Sequence, residues 1–202
     1  LDNREGEVPM PNQRSYEILS KKRIFDHFFK VDELHLRHST TQGAMSAELT
    51  RLVFERGDAV AALVHNRATN SLILTEQFRA PAAEKGPAWL LELPAGMIDK
   101  DEEPASAVVR EVYEEIGYRP THVEFIASFY LSPGGSSERI FLYYCPVESV
   151  DQKSRGGGLA AEDEYISRVE LPLSEAFKRL DDHEIVDAKT IIGLQWLRMR
   201  QA

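Results

Sequence analysis

The chain has 202 residues, 43% hydrophobic and 28% charged, enough apolar material for a sizeable core and within the range of one domain. Its 33 acidic residues against 24 basic give a net charge of −9, which repels a polyphosphate backbone and argues against nucleic acid as a partner. A small anionic substrate stays open, because a bound divalent cation and a few Arg or Lys side chains can reverse the field inside one cleft. No run approaches the roughly 18–20 apolar residues of a membrane span, and the opening residues lack the apolar centre of a signal peptide. The single cysteine, Cys145, cannot pair within the chain and sits in an apolar run, where a buried strand thiol is expected. Together these features point to the cytoplasm.

Residues 1–16 are polar, hold two prolines and show no period, so they read as a flexible tail. Residues 24–36 and 47–54 have strand-like apolar content on either side of a polar stretch, an N-terminal antiparallel pair. Short apolar runs at 60–64 and 71–75 flank a turn-rich connector and predict a hairpin. A second hairpin is predicted from 123–131 and 140–147, around Ser132-Pro133-Gly134-Gly135-Ser136-Ser137, and a last strand from 166–171. Helical spacing marks 104–116, 173–180 and 189–199. The sum is an α+β sandwich on a mixed sheet; Gly156-Gly157-Gly158 reads as a flexible loop.

Residues 96–118 carry the most information. Pro104 suits a first helical turn and Gly117 the left-handed residue that ends a helix. At about 100° per residue, Ala105, Val108, Val109, Val112 and Ile116 share a core-facing stripe. On the same wheel Glu111 and Glu115 fall about 40° apart, with Glu114 roughly 60° further round. Like charges at this spacing destabilise an isolated helix by a few tenths of a kcal/mol per pair. A divalent cation would compensate, and hard oxygen donors suit Mg²⁺ or Mn²⁺, whereas zinc would call for a Cys/His cluster. The six histidines show no ligand spacing.

The same segment matches the Nudix signature G-x5-E-x7-R-E-U-x-E-E-x-G-U, U being apolar, if Tyr118 is accepted at the last place. Gly96, Glu102, Arg110, Glu111, Val112, Glu114, Glu115 and Gly117 fill the other fixed places. Over roughly 51–197 the chain resembles the branch of ADP-ribose pyrophosphatases and GDP-mannose hydrolases. Glu76-Gln77-Phe78-Arg79, Leu91-Glu92-Leu93-Pro94-Ala95-Gly96, Ser132-Pro133-Gly134-Gly135 and Glu162-Asp163-Glu164 carry that likeness. It implies an α/β/α sandwich with an N-terminal antiparallel β extension. The expected organisation is a tail at 1–16, dimerising strands at 17–56 and a hydrolase domain at 57–202.

Carried over residue by residue, the resemblance implies that Glu111 and Glu115 bind metal, with Glu114 as a further ligand or a supporting group. The Ala95 carbonyl would complete the site. Arg110 would orient the catalytic carboxylates and Glu102 would hold loop and helix together. Arg79 would contact the phosphates, and Glu138 would sit near substrate or metal. Glu162 and Glu164 would supply a base and a distal metal ligand, Glu162 being the preferred base. Arg51 and Lys189 match substrate contacts of the GDP-mannose branch, though each also reads as a solvated charge. Phe28 or Phe29 would stack on a base, or pack in the core. The implied enzyme is a homodimer using Mg²⁺, with Mn²⁺ as the alternative, and cutting the diphosphate of a nucleotide sugar. ADP-ribose would give AMP and ribose 5-phosphate, and GDP-mannose would give GMP and mannose 1-phosphate. A nucleotide-sensing module that binds without cutting is the reading from another class.

Overall fold

The computed structural model describes residues 14–158 and 165–201. The described residues divide into two compact units. One runs up to Arg56 and includes Ser132–Ser137; the other comprises Gly57–Leu131 and the described residues from Glu138 onward.

The first unit is an antiparallel meander of β1 (Tyr16–Asp26), β2 (Lys30–His38) and β3 (Leu49–Glu55), in that order. This corrects the expected pair: the apolar run 24–36 is broken at His27-Phe28-Phe29, where the His27 N–H donates to the Phe29 carbonyl at 3.0 Å. No Gly, Pro or Asn marks that bend, so the apolar pattern ran straight through it. The first strand starts at Tyr16, inside the stretch read as a tail, whose residues 1–13 lie outside the described residues. Asp32 is buried between Arg23 and Lys21; the Arg23 hydrogen bond, then the one from Lys21, lower its carboxyl to about 2. Ile18, Phe25, Phe28 and Leu52 stay exposed within this unit, Phe28 at 80%. The Ser132–Ser137 turn belongs here too, the Phe54 N–H donating to the Gly135 carbonyl at 2.8 Å.

The second unit is built on a seven-stranded sheet among the described residues. Its strands are β4 (Ala59–Asn66), β5 (Ser71–Phe78), β6 (Trp89–Glu92), β7 (Ala95–Met97), β8 (Glu124–Tyr130), β9 (Arg139–Val147) and β10 (Ser167–Pro172). The main order is β10-β5-β4-β9-β8, with β6 paired to β5 and β7 to β4. Only the β4–β9 contact is parallel among the strand pairs described, so the sheet is mixed, as expected. Both predicted hairpins are present as β4–β5 and β8–β9. The short strands β6 and β7 escaped the sequence reading because four and three residues are too few to show a period.

Among the described residues four α-helices complete the unit: α1 (Ala80–Ala83), α2 (Pro104–Ile116), α3 (Leu173–Asp181) and α4 (Ala188–Gln201). Alternate residues of β4 serve opposite faces. Ala61 and Leu63 join Leu72, Leu74 and Leu142 under Leu173, Ala176, Leu194 and Leu197 of α3 and α4. Val60, Ala62 and Val64 join Ile73 and Cys145 under Val108, Val112 and Ile116 of α2. Fully burying each Val, Leu or Ile side chain among them contributes roughly 1.5–3 kcal/mol, and the two cores make the sheet the middle layer of an α/β/α sandwich.

The buried arc of α2 differs from the predicted stripe. Ala105 is exposed, while Ala107 and Glu115 are buried. The cause is β7, which packs on the flank carrying Glu111 and Glu115 and turns the covered face toward them.

Candidate active site

Three elements of the second unit meet at the carboxylate helix. Pro104 opens α2 and Gly117 ends it at φ 79°, the left-handed conformation expected from sequence. The loop beyond is tied to the end of the helix, where carbonyls lack partners of their own. Gly157 and Gly158 donate N–H groups to the Glu115 and Glu114 carbonyls at 2.8 and 3.2 Å. The glycine run read as a flexible loop is thus anchored at this end.

Arg110 gathers the acids. Its Nε and Nη2 donate to the two oxygens of Glu102 at 3.1 and 2.9 Å, Nη2 also to the Met97 carbonyl at 2.9 Å, and Nη1 to Glu111 and Glu114 at 2.8 and 3.1 Å. Glu102 in turn accepts the Asp99 N–H at 3.1 Å, joining loop to helix as the resemblance implied. The hydrogen bond from Arg110 holds the Glu102 carboxyl below its ordinary range, and the hydrogen bond to Glu102 raises Arg110 in return. Glu115, 4% exposed, accepts the Ala95 N–H at 3.0 Å. At Gly96 the approach is closest: a Cβ there would overlap the Glu111 carboxylate. Glycine at this place leaves the acid its position.

A second network lies alongside. Arg79, at the end of β5, donates through Nε and Nη2 to the two oxygens of Glu92 at 2.8 and 3.1 Å. Lys189 also bonds Glu92, and reaches Asp187 at 2.9 Å. Asp187 caps α4 by accepting the Thr190 N–H at 2.9 Å and its hydroxyl at 2.6 Å; that hydroxyl accepts the Leu93 N–H at 2.9 Å. Burial works against the Glu92 charge, but the Arg79 hydrogen bond and the Lys189 charge outweigh it, so its carboxyl lies below the ordinary range. Glu115 and Asp187 also act on Arg79 through their charge, which brings the two networks into one electrostatic neighbourhood.

The structure therefore gathers Glu102, Glu111 and Glu114 around the Arg110 guanidinium, places Glu115 against Ala95, and sets Arg79 within electrostatic reach. Lys189 departs from the solvated position weighed for it: it is 7% exposed, its ammonium spent on Glu92 and Asp187. Glu138 is half-buried just before β9. Arg51 and Phe28 belong to the first unit, where Arg51 donates to the Thr50 carbonyl at 2.8 Å and Phe28 stacks edge-on against Phe29. Glu162 and Glu164 lie outside the described residues. Sequence reasoning missed Glu92, Asp187 and Thr190. A carboxylate inside Leu91-Glu92-Leu93 was the available signal, since a charge in an apolar run is buried only with partners.

Divalent cations of the magnesium type take oxygen donors, and the acids on α2 with the backbone of Ala95 offer only oxygen. The donor set fits such an ion. Among the described residues no three His, Cys, Asp or Glu side chains are drawn together as a ligand cluster; Glu102, Glu111 and Glu114 converge on Arg110 instead. No helix among the described residues is long and apolar enough to cross a membrane.

Comparison with known proteins agrees with this geometry. Residues 55–193 match the NUDIX domain family. The chain is 37% identical over 181 residues to a GDP-mannose pyrophosphatase of Pectobacterium atrosepticum, covering 89% of this chain and 92% of that protein. It is 33% identical over 202 residues to an ADP-ribose pyrophosphatase of Haemophilus influenzae, covering 98% and 92%. The crystal structure of an ADP compounds hydrolase shares the fold with a TM-score of 0.69 at 20% identity, over 91% of this chain and 92% of that one. The signature on α2, the family match over more than half the chain and the two relatives agree: the protein belongs to the Nudix family, the hydrolases of diphosphate bonds.

Proposed function

We propose that this protein hydrolyses the diphosphate bridge of a nucleotide sugar, ADP-ribose first, giving AMP and ribose 5-phosphate. The observation that carries the reading is the helix of acids itself: Arg110 holds Glu111 and Glu114, and Glu115, one turn on from Glu111, lies within electrostatic reach of Arg79, which sets carboxylates for a divalent cation near a guanidinium for phosphate. Nudix pyrophosphatases generally use divalent metal ions, and Mg²⁺ is the proposed ion here, with Mn²⁺ able to replace it. Glu111, Glu115 and the Ala95 carbonyl would hold the ion, and Glu114 would support them. Once bound, it screens the diphosphate charge and polarises the phosphorus that water attacks.

The chain's own groups do the rest. Arg79 holds the diphosphate, Arg110 keeps Glu111 and Glu114 in place, and a carboxylate takes the proton from the attacking water. The resemblance assigns that base to Glu162 and a distal metal contact to Glu164, both outside the described residues. Glu138 would sit near the substrate or the metal.

The exposed large apolar side chains of the first unit, Ile18, Phe25, Phe28 and Leu52 among them, support a homodimer, because a partner surface would cover them. In the dimer Arg51 and Phe28 would serve a substrate site, Phe28 by stacking on the base. A second reading, GDP-mannose giving GMP and mannose 1-phosphate, is favoured by the 37% identity to the Pectobacterium enzyme.

The test is a panel of ADP-ribose, GDP-mannose and nucleoside triphosphates with Mg²⁺ or Mn²⁺, products identified by chromatography, run on the native protein and on Glu115→Gln. The native protein should release a nucleoside monophosphate from one sugar. The variant should lose at least about 100-fold in turnover, beyond the range of losing a supporting partner at a metal site. Binding without cleavage by the native protein would turn the conclusion to a sensing module.

A further inference from the structure

We propose that Glu92 is a positioning residue that sets the plane of Arg79 and so presents one edge of its guanidinium to the phosphates. This rests on the reading of Arg79 as the phosphate contact. A guanidinium carries five N–H donors in a rigid planar fork. Glu92 takes Nε–H and one Nη2–H, at 2.8 and 3.1 Å. Among the described residues both Nη1 donors and the second Nη2 donor are left on the other edge, the edge that makes a two-point contact with phosphate. The burial is divided accordingly: the Glu92 side chain is 3% exposed and that of Arg79 40%. The carboxylate sits behind, and the arginine faces out.

A carboxylate next to a phosphate site would ordinarily repel the substrate. Here Arg79 and Lys189 both bond Glu92, and Asp187 balances the second cation, so the four side chains sum to zero charge. Lys189 thereby also supports Arg79 through Glu92. The remaining contacts fix the height of the assembly. Thr190, fully buried, ties the first turn of α4 to the Leu93 N–H, and a Cβ on Gly193 would stand 3.1 Å from the Leu93 side chain. Glu92 is thus held between β6 and α4, and its two oxygens leave Arg79 one orientation in which both bonds are made.

The experiment is a double-mutant cycle of Arg79→Ala and Glu92→Gln, with kcat and KM measured on ADP-ribose, or on GDP-mannose if that is the compound cut. Arg79→Ala should raise KM about tenfold or more, the worth of a charged hydrogen bond. Glu92→Gln should raise KM similarly while kcat changes less than about threefold, and should add nothing once Arg79 is alanine. If both single changes raise KM and their effects multiply in the double variant, Glu92 acts independently of Arg79 and the proposal fails alone. If Arg79→Ala leaves KM unchanged, the phosphate-contact reading fails and takes the proposal with it. Should Glu92→Gln not fold with Lys189 left in excess, Glu92→Gln with Lys189→Met restores the charge balance and runs the same cycle.

Discussion

Replacing Arg110 by methionine keeps a long side chain and removes the charge around which three acids assemble. Five hydrogen bonds go, four of them to Glu102, Glu111 and Glu114. Breaking a fully buried ion pair from one side costs about 3–5 kcal/mol, whereas an exposed pair is worth about 0–1 kcal/mol. The Arg110 side chain is 29% exposed and its acids 12–23%, which discounts the buried figure to about 2–4 kcal/mol. In a chain of this size each kcal/mol moves Tm by about 2–4 °C, so the variant should melt about 5–15 °C lower at pH 7.5.

The pH dependence has a sign. In the native protein the Glu102 carboxyl lies below its ordinary value. Its contribution is therefore complete above about pH 4.3 and is lost as pH falls through the lower folded value. In the variant the three acids face one another without a cation, and that repulsion is relieved as pH falls toward 5. Thermal melts by circular dichroism at pH 7.5 and pH 5 should show the gap narrowing. A drop below about 2 °C at pH 7.5, or a gap independent of pH, refutes the reasoning.

Gly96→Ala should displace the Glu111 carboxylate, which can swing away because it ends a flexible side chain. Turnover should fall about 10–100-fold, as a shift near 1 Å can cause, while Tm moves only slightly; unchanged turnover would show that the Glu111 position is immaterial. Gly117→Ala forces a side chain into the left-handed region and against the Ser154 carbonyl. A loss of about 1–3 kcal/mol is expected, read as a lower denaturation midpoint. Cys145 is fully buried and burial pushes its thiol up to about 12, so a thiol reagent at pH 8 should leave the folded protein unlabelled and modify one thiol per chain in denaturant. Rapid labelling of native protein would contradict that burial.

Several of these expectations were already written in short stretches of chain. The helix at 104–116 could be read to the residue because its signals are local: a proline at the first turn, a left-handed glycine after the last, apolar residues at helical spacing, and the Nudix signature across it. The short apolar run at 60–64 was equally legible as a strand, and β4 is buried along its whole length. Reading failed where a pattern was too short, as in β6 and β7, or where a bend lacked a turn residue, as at Phe28.

Tertiary structure alone decided which charges meet. Lys189 and Glu92 stand 97 residues apart, and nothing in the period of either segment links them. Only when α4 is laid across the end of the strand entering the signature does the lysine leave solvent for a buried carboxylate. The same holds for the covered arc of α2, which shifted from Ala105 toward Glu115 because a three-residue strand packs on that flank. Helix ends and strand faces follow from backbone geometry within a few residues. Ion-pair partners and the direction of a guanidinium depend on how separate elements pack, and so they emerge only in the folded chain.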